Sequence, residues 1–339
     1  MPSAGTISRT RFGGELPLGC DAALASAAAL PEDCLAFSNG RAALAWFVER
    51  RGPFESVALS AYTCPSVPAA FDGLGLTIGL FDHGAETVTD VVAGLPGHSL
   101  VLLPATFGMA PWIDSAALGS AATVIIDAAQ TAFGHLVFEA PPGGAVLSCP
   151  RKTLALGDGA ILRLASFRDD DRAAVSALPD IADISAQKQA GRALFAHAHE
   201  ADEAEALRLV RTAEAAYPTT PHRMSDSALV AFCRVDAREH ARRRKGNLAI
   251  LRAQLPAPVL GNEGTPFCYP LLLADRDDVM ARLHERRIFA TPLWPDSRHD
   301  PARHAQAARL ARELLCLPLD QRYDGDDMAL LATQVRACL

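Results

Sequence analysis

Between about Arg41 and Leu164 the chain alternates helix-like segments with short, strongly apolar, strand-like ones, and no other feature restricts its fold as much. GRAALAWFVERRG (40–52) has the pattern of an amphipathic helix and SVALSAY (56–62) that of a strand. PSVPAAFDGLG (65–75) returns to a helix, LTIGLFD (76–82) to a strand, and a weak helix leads to SLVLLPA (99–105). IDSAALGSA (113–121) then leads to ATVIIDAA (122–129). LVFEA (136–140), AVLSC (145–149) and AILRLA (160–165) follow as three short strands with no room for helices between them. Apolar strands separated by helices form a mostly parallel sheet covered on both faces, because each parallel return needs a crossover. The later stretch without helices predicts an antiparallel member.

From Ile181 to about Arg252 the pattern is long and helical, broken by the prolines of AYPTTPHRMS (216–225). A second mixed unit follows: FCYPLLLA (267–274) as a strand, DDVMARLHERRI (277–288) as a helix and DMALLATQVRACL (327–339) as the last helix. These features predict an α/β protein with a mostly parallel central sheet between helices. Residues 1–225 form its large domain, N-terminal segment included, and residues 226–339 a smaller C-terminal α/β domain. DAALASAAAL (21–30) reads as an ordinary helix.

With 339 residues, half of them hydrophobic, the chain can build a large core. A net charge of −7 argues against a nucleic-acid partner. The basic run Arg242-Arg243-Arg244-Lys245 reads as a solvated helix face ending at Gly246. No apolar run approaches the ~20 residues that span a bilayer, and the N-terminal segment lacks the apolar core of a secretory signal. The eight cysteines include no C-x-x-C pair. They are expected to be buried, small apolar side chains of a reducing compartment, with the cytoplasm as the location and no metal site. His197 and His199 are the only close histidine pair and point to different faces of a helix.

In open α/β sheets ligands collect at the carboxyl ends of the strands, and several polar residues fall there. Lys152 follows AVLSC and precedes the turn Gly157-Asp158-Gly159; alone it is an ordinary surface cation, but desolvated beside Arg151 it is an amine able to form an imine. Asp127 ends VIID, where it is either a helix cap or a carboxylate facing a cationic partner. Gln130 lies three residues on. Ser38-Asn39-Gly40-Arg41 opens a helix whose free N–H groups suit an anion, and Ser148 is a further donor. Tyr62 is either a core residue or a ring that stacks on a planar ligand. G-x-G-x-x-G, a Walker loop and G-x-S-x-G are all absent.

Taken in order, SNGRAAL, AYTCPSVPAAFDGLG, VIIDAAQTAFG and SCPRKTLALGDGAIL resemble the DegT/DnrJ/EryC1/StrS aminotransferases, and PHRMSDSAL and LLCLPLDQRY extend the likeness from Phe37 to Cys338. The resemblance implies fold type I, pyridoxal 5′-phosphate and a homodimer. It implies Lys152 as the lysine that holds the cofactor as a Schiff base and shuttles a proton, Asp127 as partner of the ring nitrogen, and Gln130 as neighbour of the ring hydroxyl. Gly40, Arg41 and Ser148 fall on phosphate-binding positions, and Tyr62 on the stacking aromatic. The implied reaction moves an amino group from an amino acid, plausibly glutamate, to a keto substrate such as a nucleotide-linked keto sugar. Rival readings are a lyase, decarboxylase or dehydratase of the same fold, and a non-catalytic cofactor-binding protein. Pro221 stands where the family has an asparagine that reaches the neighbouring subunit's phosphate, leaving His222 or Arg223 to replace it.

Overall fold

The computed structural model describes residues 11–19, 29–84, 88–197, 200–259 and 264–339. Its eleven strands are β1 (Phe12–Gly13), β2 (Cys34–Phe37), β3 (Ser56–Ser60), β4 (Thr77–Phe81), β5 (Ser99–Pro104), β6 (Ala122–Ala128), β7 (Ala145–Ser148), β8 (Ala160–Leu164), β9 (Tyr269–Leu272), β10 (Ile288–Phe289) and β11 (Leu314–Leu317). Seven of them form one sheet in the order β2-β8-β7-β6-β5-β3-β4, in which β8 runs antiparallel to both neighbours and every other pair is parallel. The expected mostly parallel sheet with an antiparallel member is therefore present. β3, β5 and β7 are buried at every position, which is why they read as unbroken apolar runs.

Helices cover both faces. The helix Gly40–Arg51 buries Leu44 and Phe47 in a cluster with Leu147 and Leu162. On the opposite face Val88 and Val92, from the helix Val88–Ala93, pack with Leu118 against Val101, Leu103 and Val124. The segment 136–140 departs from the expected strand. The chain makes a short helix, Gly134–Val137, and leaves Leu136 55% exposed. The edge of β6 that such a strand would need is taken by β7.

The C-terminal unit has its own core. Leu248, Leu251, Leu271, Val279, Leu283, Leu315, Leu317 and Leu331 cluster there around the antiparallel pair β9–β11. Phe12 belongs to this cluster, and β1 pairs in parallel with β10. The described N-terminal stretch thus reaches the C-terminal unit through Phe12 and Gly13, while Glu15 and Leu18 bond to Arg192 of the large domain. The helix Asp226–Phe232, in turn, packs Ala228 and Phe232 against Cys34, Phe133 and Leu154 of the large domain. The change of core falls near Asp236, which caps the helix Ala237–Arg252 by accepting the N–H groups of Arg238 and Glu239.

That helix continues through Gly246, contrary to the expected stop. Arg242 and Arg243 pair with Glu239 on the surface, but Arg244 is buried and donates to Gln321 Oε1 and to the carbonyls of Pro266 and Phe267. Seven cysteines are free thiols and five of these are buried. Cys20, most of the helix expected at 21–30, and His199 lie outside the described residues. Among the described residues no helix is long and apolar enough to cross a membrane, and no group of His, Cys, Asp and Glu could hold a metal ion.

Candidate active site

A cavity of about 460 Å³ opens where β5, β6 and β7 end, at the carboxyl edge of the sheet. Its size is ordinary for a small-molecule site. Asp127 and Gln130 reach it from the end of β6, and Lys152 from the tight turn Pro150–Lys152 after β7. Asn39, Gly40 and Arg41 reach it from the start of the helix Gly40–Arg51, and Thr63 and Cys64 from the loop after β3. The Lys152 turn is closed by bonds from Lys152 N–H to the Cys149 carbonyl (3.0 Å) and from Leu154 N–H to the Pro150 carbonyl (2.8 Å). Pro150 suits the first position of such a turn, because its ring presets φ and its missing N–H is not needed there.

Asp127 is half-buried and lines the cleft. Burial pushes its carboxyl above the ordinary value, while the nearby Lys152 ammonium and the Ala129 N–H, 3.0 Å from Oδ1, pull it back down. The two side chains on which the chemistry would depend therefore share one cavity and feel each other's charge. Gln130 is buried, and its Oε1 accepts the N–H of Phe107, a residue held at φ 60°.

The rest of the cleft is strongly cationic. Arg41 lines it, bound to the Tyr217 carbonyl at 3.3 Å; burial and the neighbouring Arg151 lower its pKa. Arg151 lies over the Tyr217 ring at 4.5 Å and donates twice to Glu214, at 2.6 and 2.8 Å, a carboxylate that also pairs with Lys188. Burial alone would raise the Glu214 pKa, but Arg151 and Lys188 hold it at about 2. Burial, with Arg192 and Arg151 close by, brings Lys188 down to about 8. Five cations, Arg41, Arg151, Lys152, Lys188 and Arg192, thus line one cleft against three carboxylates, Glu15, Asp127 and Glu214, and an anionic ligand would balance the remaining positive charge.

Two expected site residues are turned elsewhere. Alternation along β7 sends Leu147 and the following Cys149 to the cleft and Ser148 to the other face of the sheet, where its hydroxyl accepts the His135 N–H at 2.8 Å. Tyr62 is fully buried outside the cleft. Its hydroxyl donates to the Leu293 carbonyl at 2.7 Å and its ring packs on Trp294 and His83. The neighbouring Thr63 and Cys64 take the cleft position instead. Arg223 is engaged by Asp180 and Asp226. Sequence reasoning missed Lys188, Arg192 and Glu214. A signal existed: Ser185, Lys188 and Arg192 recur at i, i+3 and i+7 in the helix Ala182–His197, and all three are buried, so this helix turns a polar stripe inward.

The arrangement of this sheet is the fold type I architecture of pyridoxal-phosphate enzymes, and the chain shares the fold of DegT/DnrJ/EryC1/StrS-type aminotransferases. A DegT DnrJ EryC1 StrS aminotransferase from Brucella abortus matches with TM-score 0.58 and 16% identity over 90% of this chain and 85% of that one. DesI, solved in the presence of its TDP-sugar product, matches with TM-score 0.59 and 18% identity over 90% and 80%. The sugar aminotransferase CalS13 from Micromonospora echinospora matches with TM-score 0.60 and 15% identity over 90% and 87%. At these identities the likeness is one of fold. No family model matches the sequence, and no curated protein does.

Pyridoxal 5′-phosphate fits the residues present. It needs an amine for its aldehyde, a carboxylate for its ring nitrogen and cations for its phosphate, and Lys152, Asp127 and the Arg41–Arg151 group line a single cavity. The Asp127 carboxylate receives one hydrogen bond among the described residues, from Ala129, which leaves its cleft side able to face a cationic N–H. The buried Arg151 Nε has no hydrogen-bond partner among them, as befits an incompletely satisfied anion site.

Proposed function

We propose that the chain is a pyridoxal 5′-phosphate-dependent aminotransferase that moves an amino group from an amino acid to a keto substrate. The observation that carries this reading is the meeting of the Lys152 amine and the half-buried Asp127 carboxylate in one cationic cleft at the carboxyl edge of a fold type I sheet. The fold likeness to sugar aminotransferases, one of them with a TDP-sugar product, supports a nucleotide-linked keto sugar as acceptor. Glutamate is the proposed donor, since a second carboxylate suits the excess of cations. A homodimer and a cytoplasmic location complete the proposal.

Bound pyridoxal phosphate would supply an aldehyde that captures amines and a ring that accepts the electron pair released at the amine-bearing carbon. Asp127 would hold a proton on the ring nitrogen, its own ionisation favoured by that positive partner. Lys152 Nζ would hold the cofactor and, once freed by the incoming amine, take up and return a proton as general base and acid. Gln130 would stand beside the ring hydroxyl, while Gly40 and Arg41 would hold the phosphate, by charge rather than through Ser148.

Purified protein mixed with pyridoxal phosphate should develop a visible absorption band that Lys152→Ala abolishes. Glutamate should bleach the band and a 2-keto acid restore it. A band lost with release of the donor's carboxyl or leaving group indicates a lyase instead, and a band that no amino acid alters indicates a binding protein. Failure of the wild-type chain to take up cofactor ends the assignment.

A further inference from the structure

The Lys152 turn is held from behind by side chains distant in sequence. Arg192 is buried in the helix Ala182–His197 and donates from Nη1 to the carbonyls of Leu154 (3.0 Å) and Leu156 (2.6 Å) and from Nη2 to that of Arg151 (3.2 Å). Its Nε donates to Glu15 at 2.6 Å, and Nη2 pairs with the same carboxylate. Four hydrogen bonds and an ion pair therefore hold the guanidinium. The intervening carbonyl, that of Thr153, accepts from Gln321 Nε2 at 2.7 Å, and Arg244 fixes Gln321 through its Oε1.

The helix comes close enough to do this because Gly157 has no Cβ: a side chain there would run into Ser185, about two turns before Arg192. Asp158 adds a second tie, accepting from the hydroxyls of Ser185 (2.8 Å) and Ser225 (2.6 Å). Arg192 also lines the cleft, but its donors are spent chiefly on backbone carbonyls and Glu15.

We propose that Arg192 is a positioning residue: by fastening the backbone on both sides of Lys152 it aims that amine, rather than Lys188, at the cofactor's aldehyde. The proposal rests on the reading of Lys152 as the cofactor-bearing lysine. Lys188 is a second amine in the same cavity, so selection between them is a real choice. A lysine at 192 could restore charge beside Glu15 but has no planar fork to span three carbonyls.

The test is borohydride trapping of added pyridoxal phosphate, with the labelled lysine found by peptide mapping, in wild-type protein, Arg192→Lys and Arg192→Gln. The ratio of label on Lys152 to label on Lys188 should fall on the order of tenfold in both variants, as expected for a misplaced reacting group. A residue that merely stabilised the fold would lower the melting temperature and leave this ratio alone, and an unchanged ratio overturns the proposal. Should neither variant fold, hydrogen exchange on the wild-type chain decides. Amides in 151–156 should be protected to the level of β7, and exchange at loop rates would overturn the clamp. Absence of label on any wild-type lysine would fell the functional reading while the exchange measurement still judged the clamp.

Discussion

Glu214 shows how much of the cleft depends on single charges. Its carboxylate receives Arg151 and Lys188 together, and a little over a third of its side chain remains exposed. The pairs in which it takes part are screened on the open side and held firmly on the other. Glu214→Gln should cost about 1–2 kcal/mol of stability at pH 7, because it leaves two buried cations, Arg151 and Lys188, without that counter-charge. The sign of the pH dependence follows from its lowered pKa. The folded value of about 2 lies below the ordinary carboxylate value of 4.5, so the stabilisation is present above pH 4.5 and is lost as pH falls toward 2. Urea unfolding should show the gap between wild type and variant closing across that window. Lys188 has the same sense in a higher window. With its folded value near 8, below the ordinary 10.5, stability from this group rises as pH climbs through that interval. These residues were not legible as a site, because a glutamate and two basic residues far apart in a charged helical stretch look like a solvated surface. Lys152, Asp127, Gln130, Gly40 and Arg41, by contrast, stand next to strand ends or a helix start, where local sequence indicates the position.

At the scale of elements, the helices Ala182–His197 and Glu200–Ala215 form a close-packed pair behind the cleft. Gly191 permits it, for a Cβ there would stand 2.9 Å from the Ala206 carbonyl oxygen and 2.9 Å from Val210 Cγ2. Gly191→Val should overpack the contact and destabilise by about 1–3 kcal/mol in urea unfolding, shifting Lys188 and Arg192 with it. Gly246 is the contrasting case. It lies on the exposed side of the helix Ala237–Arg252 with open space around it. Gly246→Ala should raise stability by about 0.5–1 kcal/mol, since it only restricts the unfolded chain. The same contrast explains which elements could be read in advance. The strands of the sheet are legible because burial on both faces demands apolar runs. The segment 136–140 misleads because its apolar Leu136 and Val137 are exposed. Gly246 misleads because a glycine in an open helix is tolerated, whereas the usual role of such a residue is to end one.

Across the whole molecule, contacts distant in sequence join the two cores. Asp82, after β4, accepts the N–H groups of Gln306 and Ala307 at the start of the helix Ala305–Glu313. The N-terminal stretch crosses to the C-terminal unit, where the Phe12 ring packs 5.2 Å from that of Tyr323, and Gly13 donates its N–H to the Tyr323 hydroxyl at 2.6 Å. From there Glu15 reaches Arg192 behind the Lys152 turn. Phe12→Ala should cost about 3–5 kcal/mol, measured by urea unfolding, because it empties a buried site between Leu317, Tyr323 and the last helix. A division at 225 with the N-terminus in the first domain follows from chain order. Pairing of β1 with β10 and the bonds of Arg11, Glu15 and Leu18 to Glu203 and Arg192 tie that stretch to both units.

What the amino-acid order determined unaided is everything governed by local periodicity. It specified a mostly parallel sheet with helices on both sides, a second α/β unit, and a cationic helix start, a lysine and an aspartate at strand ends. Tertiary packing decided the rest. Whether Ser148 or Cys149 faces the cleft depends on the register of β7, and a shift of one residue reverses the faces. Whether Tyr62 stacks on a ligand or fills a core depends on which part of the C-terminal unit lies against it. The four carbonyls around Lys152 are bound by residues up to 168 positions away, and a contact of that kind leaves no periodic trace in the chain that forms it.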